Sequence, residues 1–183
     1  MKMRLKKIDK KIILLTLGFI FFSLYGFTYS STEYGDIIKI IDGDTVHFLK
    51  EGDTSYKKIR LVGIDAPELK QEFGKESRQC LVELIENKPV ELVKFGQDRY
   101  QRILAKIKID QVDMNLAMIK KGCAWFYRQY QDSLDENDQN FMIKAEQIAQ
   151  RQSLGLFKHV KALPPWVWRK RIEQFNYLRI VKT

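Results

Sequence analysis

Asp36-Ile37-Ile38-Lys39-Ile40-Ile41-Asp42-Gly43-Asp44-Thr45-Val46-His47-Phe48-Leu49 reads as a strand, an acidic turn and a returning strand. Residues 36–40 are rich in isoleucine, Asp-Gly marks the reversal, and Val46 and Phe48 then alternate with Thr45 and His47. A second turn at Glu51-Gly52-Asp53 leads into 56–62, so the segment predicts a three-stranded meander ending at Asp65. Beyond it, Leu81, Leu84 and Ile85 beside Cys80 predict a helix over 75–86. Strands are expected over 89–95 and 103–109, joined by the turn Gly96-Gln97-Asp98. A short helix over 114–121 is stopped by Gly122. A third helix over 138–152 is expected to bury Phe141, Met142, Ala145, Ile148 and Ala149 and to end at Gly155. Three strands, a helix, two strands and two helices predict a mainly β (α+β) fold, an OB-fold five-stranded Greek-key barrel with three helices.

At 183 residues the chain has room for one domain with a sizeable core once its first 30 residues are set aside. Lys2, Arg4, Lys6, Lys7, Lys10 and Lys11 precede an apolar stretch over 12–29, the pattern of an export signal or an uncleaved anchor. Thr16, Gly18, Ser23, Gly26 and Thr28 dilute that stretch as a membrane span, so removal near Ser30 is favoured over permanent anchoring. The expected location is therefore outside the cytoplasm: secreted, periplasmic, or held on the outer face of the cytoplasmic membrane through the uncleaved segment alone. The expected organisation is a signal peptide or anchor (1–30), a barrel domain (31–160) and a basic tail (161–183). That tail is expected to be extended through Pro164-Pro165-Trp166-Val167-Trp168 and then to enter a short helix through Phe175 and Leu178. Trp166 and Trp168 are assigned to packing the tail against the barrel.

The net charge of +9 is uneven. The first 29 residues contribute +5 and residues 158–183 contribute +6, which leaves −2 for residues 30–157. Net charge alone therefore does not identify a nucleic-acid binder. His47 and His159 are too few for a zinc site, and the two cysteines, Cys80 and Cys123, lack metal-ligand spacing. Both cysteines fall on apolar helix faces, where buried free thiols are expected ahead of a disulfide.

Function rests on local constellations. Asp42-Gly43-Asp44 alone is an ordinary hairpin turn, Asp65-Ala66-Pro67-Glu68 alone a pre-proline loop, and Arg60 alone a strand-edge cation. Their co-occurrence changes the reading. Arg60, Asp65 and Glu68 fall within nine residues, and an antiparallel meander brings Asp44 towards them. Asp98-Arg99-Tyr100-Gln101-Arg102 adds a second arginine at the start of a strand. Hard oxygen ligands, a spare carboxylate and two planar cations are what metal-assisted attack on a phosphodiester needs.

From about Tyr34 onward these runs resemble the staphylococcal-nuclease-like (thermonuclease) family. The resemblance implies Asp44, Asp65 and the backbone carbonyl of Ala66 as Ca2+ ligands, with Asp42 a further acid near the metal. It implies Arg60, Glu68 and Arg102 as catalytic residues, and Arg99 and Tyr100 near the terminal phosphate of bound nucleotide. Gln101 stands where the family commonly has glycine. Tyr130 is the best placed aromatic for stacking on a base, while Trp125, Phe126 and Tyr127 are assigned to core and groove wall. His47 is read as a strand residue on a polar surface. The implied activity is a calcium-dependent endonuclease on DNA and RNA, with low sequence specificity, a preference for single strands and 3′-phosphate products. A monomer without an obligate protein partner is expected. Two rivals are a non-catalytic OB-fold that binds single-stranded nucleic acid and a surface adhesion or assembly module. Neither gives Asp44, Asp65 and Glu68 a reason to converge.

Overall fold

The computed structural model describes residues 32–158 and 162–181. The expected leader and His159 lie outside the described residues. Strand β1 (Thr32–Ile40) turns through Asp42-Gly43-Asp44 into β2 (Thr45–Lys50), which turns into β3 (Lys57–Leu61). The pairings are antiparallel, with Ile37 opposite Phe48 and Val46 opposite Ile59. Helix α1 (Gly74–Ile85) follows, then the antiparallel pair β5 (Val90–Gln97) and β6 (Ile103–Ile109). Strand β5 pairs back on β1, and β6 runs parallel to β3, which closes a five-stranded barrel. The expected OB-fold is the observed one.

The barrel interior is apolar because each strand alternates. Val46, Phe48, Ile59, Leu92, Ala105 and Ile107 are fully buried, and each large one contributes roughly 1.5–3 kcal/mol. Leu81 and Ile85 of α1 and Met118 and Ile119 of α2 (Met114–Lys120) join the same core. Gly122 ends α2 at φ +69, the left-handed conformation expected of it. Helix α3 (Glu136–Arg151) starts at the Asp135 side chain, which accepts from the Asp138 amide.

Short elements absent from the sequence reading complete the strand set. β4 (Ile64–Asp65) pairs with β8 (Trp125–Phe126), and β7 (Val112–Asp113) extends β6. Buried Asn115 fixes this region: its amide donates to the carbonyls of Val62 and Ala105 and its oxygen accepts from the Ile107 amide. The chain therefore leaves β3 in a fixed direction, and Asp65 follows.

Four expectations are corrected. The tail helix is longer than the short one expected and forms α4 (Pro165–Val181), and 3-10 turns stand at Arg128–Ser133 and Gly155–Lys158. The helix starts at Pro165 itself: proline loses nothing at a first helical position, and the Pro164 carbonyl accepts from Val167 and Trp168. On α3 the buried stripe is Met142, Ala145, Glu146 and Ala149, while Phe141 and Ile148 are exposed. Glu146 tolerates burial because its carboxylate accepts from the Phe126 amide at 2.9 Å and from Arg128 at 2.6 Å. Finally, Cys80 and Cys123 form a disulfide that ties α1 to the segment before β8. Among the described residues no helix is long and apolar enough to cross a membrane.

Candidate active site

The acidic turn is set by close packing. A Cβ on Gly43 would lie 2.0 Å from Ser77 Oγ and 2.7 Å from Ala66 Cβ, so only glycine lets the turn sit against α1 and the Asp65 loop. The Asp42 carboxylate accepts from the Asp44 amide at 3.0 Å, a local Asx bond that shapes the reversal. Asp44 then points inward. One of its oxygens accepts from Thr45 Oγ1 at 2.9 Å and the other from the Ala66 amide at 2.8 Å.

Arg60 comes from β3, directly opposite Thr45 in register, and bridges the acids. Its guanidinium lies 2.9 Å from Asp44 and 2.8 Å from Asp65, and it also donates to the Ile64 carbonyl at 2.8 Å. Burial acts to lower its pKa, but Asp44, Asp65 and Asp42 outweigh burial and hold it above the ordinary value. The acids respond in turn. Burial and the neighbouring Asp44 push Asp42 up to about 7. Burial also raises Asp65, with its arginine partners pulling the other way.

Arg102 stands at the entry to β6, the strand that pairs with β3, and is held by Asp98. One Asp98 oxygen accepts from the amides of Tyr100 and Arg102, at 2.9 and 3.0 Å. The other accepts from Arg102 Nε and Nη2, at 2.8 and 2.7 Å. Gln101 takes φ +60, the left-handed conformation that glycine adopts freely. The third nitrogen of Arg102, Nη1, donates weakly to Thr45 Oγ1 at 3.4 Å, so Thr45 links the Asp44 and Arg102 sides. Burial opposes ionisation of Asp98, but the Arg102 and Tyr100 donors win and hold its carboxyl below the usual range.

All of the site residues expected from the sequence line one cavity of about 530 Å³: Asp44, Asp65, Ala66, Arg60, Glu68, Arg102, Arg99, Tyr100 and Tyr130, with Asp42. Tyr100 and Tyr130 stand exposed at its edge, with Arg99 stacked 4.9 Å from the Tyr100 ring and Tyr130 against Tyr127. His47 lies elsewhere, stacked on Tyr56 at 4.2 Å, and Lys39 and Lys58 pair with it across the sheet. Phe126 is core, and Trp166 packs against Trp125 and Tyr127 as expected.

Sequence reasoning missed three participants. Thr45 and Asp98 were present in the quoted runs without a role; the four-residue spacing of Asp98 and Arg102 around a turn was the available signal. Arg169 of α4 is the third. It forks onto Asp65 at 2.7 and 3.3 Å and reaches Glu68 at 2.8 Å. Its spacing from Trp166, three residues along a helix, puts both on one face, but a tail read as extended through Trp168 hides that relation.

The donor set suits a hard cation. Two buried carboxylates share one arginine, with a backbone segment at Ala66 between them and Glu68, and among the described residues no Cys, His or Met lines the cavity. Among the described residues no three His, Cys, Asp or Glu side chains converge as a complete cage. A cation here would take two carboxylates and complete its shell with carbonyl and water oxygens, which calcium accepts readily.

Residues 58–159 match the staphylococcal nuclease homologue family. The chain is 37% identical over 169 residues to an uncharacterized endonuclease of Haemophilus influenzae, covering 92% of this chain and 90% of that one. It is 34% identical to an uncharacterized endonuclease of Escherichia coli, over 75% of this chain and 86% of the relative. It is also 34% identical to a micrococcal nuclease of Shigella flexneri, over 74% and 80% of the two chains.

Proposed function

The chain belongs to the staphylococcal nuclease family, and on that premise we propose that it is a calcium-dependent endonuclease that cleaves DNA and RNA with low sequence specificity. One observation carries the reading: a single arginine bridges two buried aspartates at the floor of a cavity that also holds Glu68 and a second, braced arginine.

Asp44, Asp65 and the Ala66 carbonyl would hold Ca2+, whose chemistry is to bind a phosphate oxygen and reduce the repulsion facing the nucleophile. Glu68 orients a water and accepts its proton. Arg60 and Arg102 donate paired hydrogen bonds to the phosphate as charge builds on its oxygens. Bracing by Asp98 keeps the Arg102 fork in place before the reaction, which is where electrostatic catalysis gains its advantage. Arg99 and Tyr100 contact the neighbouring phosphate, and Tyr130 stacks on a base. A cavity of this size admits a strand with its bases unpaired more easily than a duplex, which supports single-strand preference. In-line attack with 3′-phosphate products belongs to the same proposal, as does action as a monomer.

Export is also proposed, with residues 1–30 as signal or anchor, 31–160 as the nuclease domain and 161–183 as the C-terminal segment. The Cys80–Cys123 disulfide supports it, because such bonds persist in oxidising compartments. The test of the function is a digest of single-stranded DNA and of RNA with calcium and then with EGTA. Cleavage that stops on chelation, and a raised calcium requirement in Asp44→Ala, are expected. Cleavage indifferent to chelation would overturn the calcium reading.

A further inference from the structure

Arg169 is placed where two demands collide. Its fork takes both oxygens of Asp65 and one of Glu68, the same oxygens that the proposed reaction assigns to a metal and to a water. Asp65 is almost wholly buried, so its oxygens have little room for a third cation beside Arg60 and Arg169. The helix that carries Arg169 is anchored separately. Trp166 packs on Trp125 and Tyr127, and Gln71, in the loop after Glu68, donates to the Leu163 carbonyl. The guanidinium stands at the end of a long side chain that is 36% exposed and lines the cavity.

We propose that Arg169 is a further phosphate-binding residue, held on Asp65 and Glu68 until calcium displaces it and the substrate phosphate receives it. The proposal rests on the calcium reading above. A divalent cation on Asp65 repels a guanidinium that shares the same oxygens. The planar fork that fits a carboxylate fits a phosphate equally well, so the displaced group gains a partner as soon as nucleic acid enters. Calcium and nucleic acid then strengthen each other's binding through one residue, and by linkage the effect is reciprocal.

The test is calorimetric titration of the full chain with calcium alone, comparing wild type with Arg169→Gln, Arg169→Lys and, as a charge control on the same helix, Arg171→Gln. Arg169→Gln should bind calcium roughly tenfold tighter than wild type, within the range usual for coupled ligands. Arg169→Lys, which keeps the charge but loses the fork, should shift in the same direction by less, and Arg171→Gln should match wild type. With calcium saturating, Arg169→Gln should bind a phosphorothioate thymidine octamer about tenfold more weakly. A residue that merely held the fold together would weaken both equilibria. Unchanged or weaker calcium binding in both Arg169 variants overturns the proposal, and so does unchanged octamer binding. No calcium uptake by wild type or variant overturns the calcium reading and this proposal with it.

Discussion

Replacing Asp98 should disable Arg102 without touching it. The Asp98 carboxylate accepts four hydrogen bonds, two from backbone amides that shape the loop and two from the Arg102 guanidinium. In Asp98→Ala the loop amides lose their acceptor and the guanidinium is left with the weak Thr45 contact and the Tyr100 ring 5.6 Å away. Each hydrogen bond to a charged group is worth about 1.5–3 kcal/mol when intact, but Arg102 is partly exposed and water replaces part of the loss. A net destabilisation of about 2 kcal/mol is expected, with about half of that in Asp98→Asn, which still accepts from one side. For catalysis, losing one preorganised donor outright costs roughly 10²–10³ in rate, so losing its brace should lower kcat by about 10–100-fold with a smaller change in KM. The stability effect has a pH signature. The folded-state pKa of Asp98 lies below its ordinary value, so its contribution is fully present above the unfolded value near 3.8 and fades as pH falls through the folded one. Urea melts of wild type and Asp98→Asn should therefore differ by a constant amount from pH 5 to 8, up to about 1 kcal/mol, and converge as the pH falls through the lowered folded-state value. A kcat within twofold of wild type for Asp98→Ala, or melts that stay apart at low pH, would refute the reasoning.

Gly43→Ala forces a Cβ into Ser77 Oγ and Ala66 Cβ, so a loss of about 1–3 kcal/mol in thermal melts should accompany a raised calcium requirement, because Asp44 moves with the turn. Asn115→Ala leaves the Ile107 amide and the Val62 carbonyl without their partner, whereas Ala105 keeps the Val62 amide; about 2–4 kcal/mol should be lost in urea melts. Reduction of Cys80–Cys123, which are 43 residues apart, should cost about 2–4 kcal/mol, read as a lower melting temperature in dithiothreitol; equal melting with and without reductant would show that the bond contributes nothing.

The floor of the site was legible because its parts are local. Asp42 to Thr45 and Arg60 to Glu68 sit at the ends of strands whose alternation is plain, and an antiparallel meander has only one register that buries Val46, Phe48 and Ile59 together. Arg102 was legible for the same reason, at the entry to β6. What the sequence hid depended on distant partners. Glu146 looks solvated until Arg128 and the Phe126 amide are seen to meet it, and that error pushed the expected buried face of α3 onto Phe141 and Ile148. Cys80 and Cys123 are separated by three strands and a helix, and only the packing of α1 beside the end of α2 makes them neighbours. The tail misled through its prolines. Pro164 and Pro165 read as extended chain, yet Pro165 is a good first residue of a helix, and the helix delivers Arg169 to acids more than 100 positions away.

The most direct test of the central claim is cleavage and binding of single-stranded DNA by Arg60→Lys and Arg102→Lys at saturating calcium. Lysine keeps the point charge but cannot present two parallel donors. If these arginines grip the phosphate as charge builds on it, both variants should bind DNA within a few-fold of wild type and lose most of kcat. Wild-type kcat in both would remove the arginines from the chemistry and leave a barrel that only binds nucleic acid.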